Sequence, residues 1–140
     1  MIHRGGCHCG NLRYALETRL ALNELPLRAC QCSFCRRHGA LSTSDPEGAL
    51  RFEVREPAQL TRYRFGLKTA DFLICTRCGI YVGATLSDGG RSWAIVNANT
   101  LDEAAQLTQA ATPMSYDGED EAQRTARRRE RWTPVTAAVA

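Results

Sequence analysis

Cys75-Thr76-Arg77-Cys78-Gly79 decides how this chain of 140 residues folds. Two thiols separated by two residues, with a glycine suited to the sharp turn behind them, form the knuckle by which a chain grips a metal ion. Residues 71–74 before the knuckle and 80–85 after it read as the two strands of a hairpin that it closes. A second close pair, Cys7-His8-Cys9, lies near the N-terminus, and a third group, Cys30-Gln31-Cys32-Ser33-Phe34-Cys35, lies between. Together these are all seven cysteines of the chain, an odd number that cannot pair completely as disulfides. The first residues, Met1-Ile2-His3-Arg4-Gly5-Gly6, contain no apolar stretch of the secretory kind. Closely spaced thiols in such a chain read as metal ligands before disulfides.

Cys7 and Cys9 with Cys75 and Cys78 make four thiolates, a closed tetrahedral shell of the structural-zinc type. That shell would tie the N-terminus to mid-chain and add folding energy to a small domain. Cys30, Cys32 and Cys35 supply three ligands and leave a fourth position for water, a thiol substrate or His38, three residues further on. With substrate in that position the site is a catalytic zinc; with His38 it is a second closed shell; without metal it is three reduced thiols. Arg36 and Arg37 follow the trio and are placed either to offset its thiolate charge or to lie in solvent. His8, between two ligands, is expected to point away from the metal, and His3 to lie on the surface.

Hydrophobic residues make up 44% and charged residues 24% of the chain, a globular mix, and no apolar run approaches the ~18–20 residues that span a bilayer. The expectation is a soluble, cytoplasmic protein without membrane contact. Seventeen of its eighteen basic residues are arginines, yet the net charge is only +3. The densest basic cluster, Arg124, Arg127, Arg128, Arg129 and Arg131, is balanced by Asp117, Glu119, Asp120, Glu121 and Glu130. Nothing here asks for nucleic acid.

Period-two alternation marks strands at Leu12, Tyr14 and Leu16 and again at Leu50, Phe52 and Val54, and residues 92–98 read as another. Turn signals at Asp45-Pro46-Glu47-Gly48, Glu56-Pro57 and Ser87-Asp88-Gly89-Gly90 separate them. Without long helices between strands, the pattern argues against a doubly wound α/β fold. Asp102 is positioned to cap a helix running to residue 111, ended by Thr112-Pro113. A second helix is expected over 117–132, with acids in its first turn and arginines in its last. Its apolar residues, Ala122, Ala126 and Trp132, are too few for a buried face, so it reads as exposed or loosely docked, with 133–140 frayed. Phe34, Tyr63, Phe65 and Trp93 are placed to shape a pocket near the metal, but read as core before substrate contacts. Asn97 and Asn99 share a strand face that meets either a polar ligand or solvent.

Taken together, Cys7-His8-Cys9-Gly10, Cys30-Gln31-Cys32-Ser33-Phe34-Cys35-Arg36-Arg37 with Gly39-Ala40, Phe72 with Cys75-Thr76-Arg77-Cys78-Gly79, and Val96-Asn97-Ala98-Asn99-Thr100-Leu101-Asp102 resemble the glutathione-dependent formaldehyde-activating enzyme (GFA) family. The resemblance covers residues 4–102. It implies a mainly β fold, a small zinc-pinned β-tent of antiparallel sheets, which is placed over residues 1–112; the residue pattern adds a short helical C-terminal extension over 113–140. It implies two zinc ions per chain, one structural on Cys7, Cys9, Cys75 and Cys78 and one labile and catalytic on Cys30, Cys32 and Cys35. The implied activity is that of a carbon–sulfur lyase of the S-hydroxymethylglutathione synthase kind, acting on the adduct of an aldehyde such as formaldehyde with a small-molecule thiol such as glutathione. The competing expectation is a non-catalytic zinc-binding module that holds a protein or small-molecule partner.

Overall fold

The computed structural model describes residues 1–137. Strands form where apolar residues alternate. In β2 (Leu12–Glu17) and β5 (Ala49–Val54), Leu12, Tyr14, Leu16, Leu50 and Phe52 are buried while Arg51 and Glu53 face solvent. The two strands pair antiparallel, with Tyr14 opposite Phe52 and Leu16 opposite Leu50, so the large apolar side chains share one face. β1 (Ile2–Gly6) covers the other edge of β2.

A second group of strands starts as a meander. β6 (Leu60–Tyr63), β7 (Asp71–Cys75), β8 (Tyr81–Asp88) and β9 (Arg91–Asn97) pair antiparallel in chain order. The hairpin expected around the second knuckle is therefore β7 and β8. From β9 the sheet continues through β4 (Ser42–Thr43) and β3 (Arg28–Cys30) to β10 (Thr112–Met114). The fold is mainly β. Its pairings are antiparallel except β3 with β10 and β5 with β11 (Thr133–Ala137).

Alternation gives β7, β8 and β9 two buried faces. Leu73, Cys75, Val82, Ala94 and Val96 join Leu12, Tyr14 and Leu50 in one core. Phe72, Tyr81, Ala84, Trp93 and Ile95 belong to a second core with Cys35 and Trp132. The sheet therefore separates two apolar interiors, and each holds one cysteine group.

Several expectations change. The helix expected from Asp102 to residue 111 shrinks to a 3-10 turn at Ala104–Gln106. Asp102 does not cap it, because its carboxylate accepts two hydrogen bonds from the Arg13 guanidinium. That contact holds the Asp102 carboxyl below its usual range. A short helix absent from the expectations, α1 (Ser33–His38), forms within the cysteine trio, with Cys32 as its N-cap. The C-terminal helix, α2 (Glu121–Arg131), starts later than residue 117 because Asp120 is its N-cap, in a reciprocal capping box with Gln123.

That helix is also docked rather than exposed. Trp132, its C-cap, is 5% exposed and belongs to the second core, and Arg128, 8% exposed, lies over the Trp132 ring. Residues 133–137, expected to fray, form β11, with Thr133 opposite Ala94 of β9 and Val135 opposite Leu50 of β5. One strand thus joins both groups of strands; residues 138–140 lie outside the described residues. The division expected after residue 112 falls inside β10. Removing the buried Trp132 ring should loosen this whole closure: Trp132→Ala is expected to cost about 3–5 kcal/mol, read as a lowered urea midpoint with an unchanged fold by circular dichroism.

Candidate metal centres

The first cluster is assembled by two turns of the same design. After β1, the Cys7 amide donates to the Leu12 carbonyl (2.9 Å) and the Gly10 amide to the Cys7 carbonyl (3.3 Å). After β7, the Cys75 amide donates to the Ile80 carbonyl (3.0 Å) and the Gly79 amide to the Cys75 carbonyl (2.8 Å). Gly10 and Gly79 sit at φ of 84° and 80°, in the left-handed region that lets the chain turn back behind the thiols. The turns bring the four Sγ atoms of Cys7, Cys9, Cys75 and Cys78 within 4.8 Å of one another.

The donor set fits a metal. Tetrahedral Zn–S bonds of ~2.3 Å place the sulfurs roughly 3.8 Å apart. Cys7 and Cys9 are separated by 3.8 Å and Cys9 and Cys75 by 3.6 Å. The Leu12 amide donates to Cys7 Sγ (3.3 Å), a support typical of thiolate ligands. Burial pushes the Cys75 thiol up to about 12. Burial also opposes ionisation of Cys78, but hydrogen bonds from the Cys9 and Ile80 amides bring it down to about 6. Adjacent thiols cannot all ionise side by side without a cation to offset their charge.

The second cluster is Cys30, Cys32 and Cys35, whose Sγ atoms also lie within 4.8 Å of one another. Cys30 ends β3, and the Gln31 amide is tied to the Met114 carbonyl of β10 (2.8 Å). Cys32 accepts from the Cys35 amide (3.3 Å) as the cap of α1, and Cys35 is buried on the first turn of that helix. Hydrogen bonding with Cys35 pulls the Cys30 thiol down to about 5, against its burial. The same bond and burial push Cys35 up.

Among the described residues, no fourth His, Cys, Asp or Glu joins this trio. His38 is instead packed on aromatic rings, 4.5 Å from Phe34 and 5.4 Å from Tyr81 between centroids. Arg36 and Arg37 turn outward and donate to the Gln31 and Ser33 carbonyls. The cations near the trio come from elsewhere: a cavity of about 230 Å³ opens on Cys30, Cys32 and Cys35 and is lined by Arg28, Arg124, Arg127 and Arg128. Its apolar wall includes Phe65, Phe72, Ile95 and Trp132.

Phe34 and Phe65 stack at 5.1 Å against the second core, and Phe65 also lines the cavity; Tyr63, read as core, is exposed. Trp93 stays in the second core. Asn97 does not face a ligand: its side chain accepts from the Leu41 and Asn99 amides and donates to the Tyr81 carbonyl, bracing the strands behind α1. Asn99 donates to the Gly39 carbonyl. Sequence reasoning passed over Tyr81, buried next to the trio, and Arg28. The only local signal for Arg28 is a charge two residues before Cys30 in a half-buried strand.

A mainly β chain carrying two multi-thiol clusters, one of four cysteines and one of three beside a cavity, has two donor sets that could each hold a metal ion. A family profile described as glutathione-dependent formaldehyde-activating enzyme matches residues 2–116, and the chain belongs to that family. It is also similar to the crystal structure of a Rhodobacter sphaeroides protein, at 29% identity and a TM-score of 0.56, over 81% of this chain and 99% of that one.

The two centres are expected to respond differently to loss of a thiol. Cys78→Ala should leave the protein insoluble or lower its melting temperature by more than ten degrees, because metal bound by a closed shell is folding free energy. Cys32→Ala should shed one equivalent of metal and keep the strand signature in circular dichroism. Metal content by plasma emission, measured beside the melting curves, checks both.

Proposed function

We propose that this protein is a zinc-dependent carbon–sulfur lyase that joins a thiol of the glutathione type to a small aldehyde such as formaldehyde, and releases it in reverse. The reading is supported above all by the three-cysteine cluster that opens, without a fourth protein ligand, on a cavity. The family's description, glutathione-dependent and formaldehyde-activating, supports the same reagents. Cys7, Cys9, Cys75 and Cys78 would hold a structural zinc, and Cys30, Cys32 and Cys35 a second, exchangeable one. Zinc bound by the trio supplies a site at which a thiol is held as thiolate at neutral pH. We assign the working compartment to the cytoplasm, where thiols stay reduced.

The chain's own residues do the remaining work. Phe65, Phe72, Ile95 and Trp132 wall the cavity with apolar surface, which keeps bulk water from competing for the aldehyde. β3 and α1 hold the three sulfurs on one side of it, so the thiol enters from the other. The sulfur–carbon bond forms as the carbonyl π bond opens; the proton lost by the thiol matches the one gained by the new hydroxyl. No oxidant or reductant is needed. Among the described residues no helix is long and apolar enough to cross a membrane.

The deciding experiment compares wild type, Cys32→Ala and His38→Ala for formaldehyde consumption with and without glutathione. Wild type is expected to consume aldehyde faster than the uncatalysed reaction, and Cys32→Ala to fall by at least ~100-fold with loss of one metal equivalent. His38→Ala should keep both metals. If Cys32→Ala collapses as Cys78→Ala does, the trio is structural and the protein is a binding module instead.

A further inference from the structure

The cavity beside the trio carries an electrostatic feature that thiol capture alone does not call for. Arg124 and Arg127, both on α2, are paired with Glu119. Asp117 also lines the cavity. Arg28 and Arg128, which line it as well, have no carboxylate within 4 Å among the described residues. Arg128 is 8% exposed, yet among the described residues its only side-chain hydrogen bond is from one terminal nitrogen to Thr69 Oγ1 (2.7 Å), and its buried Nε has no hydrogen-bond partner there. Arg28 is half-buried and donates to Ser44 Oγ.

Keeping a guanidinium inside a protein without a counter-charge is unfavourable, because water's solvation is lost and nothing replaces it. Arg128 is nonetheless held in place: its guanidinium lies over the Trp132 ring at 4.9 Å, and α2 is pinned by β11 behind it. A guanidinium presents a fork of donors that matches the two oxygens of a carboxylate. The match to the family profile ends at residue 116, before α2 begins, so Arg128 lies outside the matched part.

We infer that Arg128, with Arg28, forms an oxyanion subsite that binds a carboxylate of the thiol substrate and so selects acidic thiols over neutral ones. This rests on the thiol-addition reading. The sulfur would enter at the trio while the carboxylate reaches the Arg128 and Arg28 guanidinium groups that line the same cavity, two anchors that orient one flexible molecule. Arg28 and Arg128 are binding residues here; neither touches the reacting carbon.

The test uses the full-length, metal-loaded protein and two probes that lack a free thiol, S-methylglutathione and its dimethyl ester. Binding is followed by calorimetry and by tryptophan fluorescence, to which Trp132 in the cavity wall contributes beside Trp93. Wild type should bind the acid at least ~10-fold more tightly than the ester, the range expected for charge-assisted hydrogen bonds. Arg128→Gln should erase that difference at unchanged metal content, and Arg128→Lys should recover part of it. Equal affinity of wild type for acid and ester would overturn the inference, and this comparison needs no variant to fold.

Turnover separates the two readings. If acid and ester binding differ but no thiol supports aldehyde consumption, the subsite stands and the lyase reading fails. If glutathione and its dimethyl ester support consumption with the same kcat/KM, the lyase reading stands and the subsite fails.

Discussion

Four cysteine sulfurs within 4.8 Å of one another impose the constraint around which this fold is organised. Two of them, Cys7 and Cys75, are part of the first apolar core, so the cluster is continuous with the packing of Leu12, Leu73 and Val82. Cys9 and Cys75 are separated by sixty-six residues, and drawing them together brings the turn after β1 onto the turn after β7. A divalent ion held there would resolve the charge crowding and turn its binding energy into folding energy. In a chain of this length, whose interior is divided in two, such a clamp replaces part of what a single large core would supply.

The other cysteine group experiences different surroundings because the sheet between them has two faces. Along β7, Cys75 and Leu73 point one way, and Phe72 and Ile74 the other. The trio belongs to the second interior, with Phe34, Tyr81 and Trp132. A closed shell and an open one can thus coexist in a small protein without exchanging ligands: a sheet lies between them. The open cluster also shares its cavity with arginines of α2, whereas the four-cysteine cluster is continuous with the first apolar core.

Both thiol clusters were readable in the chain because metal-ligand spacing is local. Cys75 to Cys78 and Cys7 to Cys9 each form a knuckle from a few residues, and a glycine behind each turn marks where the backbone reverses. Strands β2 and β5 were readable for the same reason, since Leu12, Tyr14, Leu16, Leu50 and Phe52 alternate with polar neighbours. The role of α2 was not readable from apolar content. Its contact runs through Arg128 and Trp132, and a buried arginine counts as polar in any hydrophobic pattern. The Asp102 helix failed because the capping carboxylate has a stronger partner, Arg13, eighty-nine residues away in sequence.

The amino-acid sequence by itself determined the thiol sets, the strand alternation and the family, because each is written in spacings of one to three residues or in motif order. Only the tertiary structure decided that His38 packs against Phe34 and Tyr81 instead of completing the trio. It also decided that residues 133–137 leave the tail to join β9 and β5, and that Arg28 and Arg128 meet at one cavity. These outcomes depend on contacts between segments about thirty to one hundred residues apart. Such contacts are chosen by which faces can be buried together, a property of the assembled sheet that no local spacing encodes.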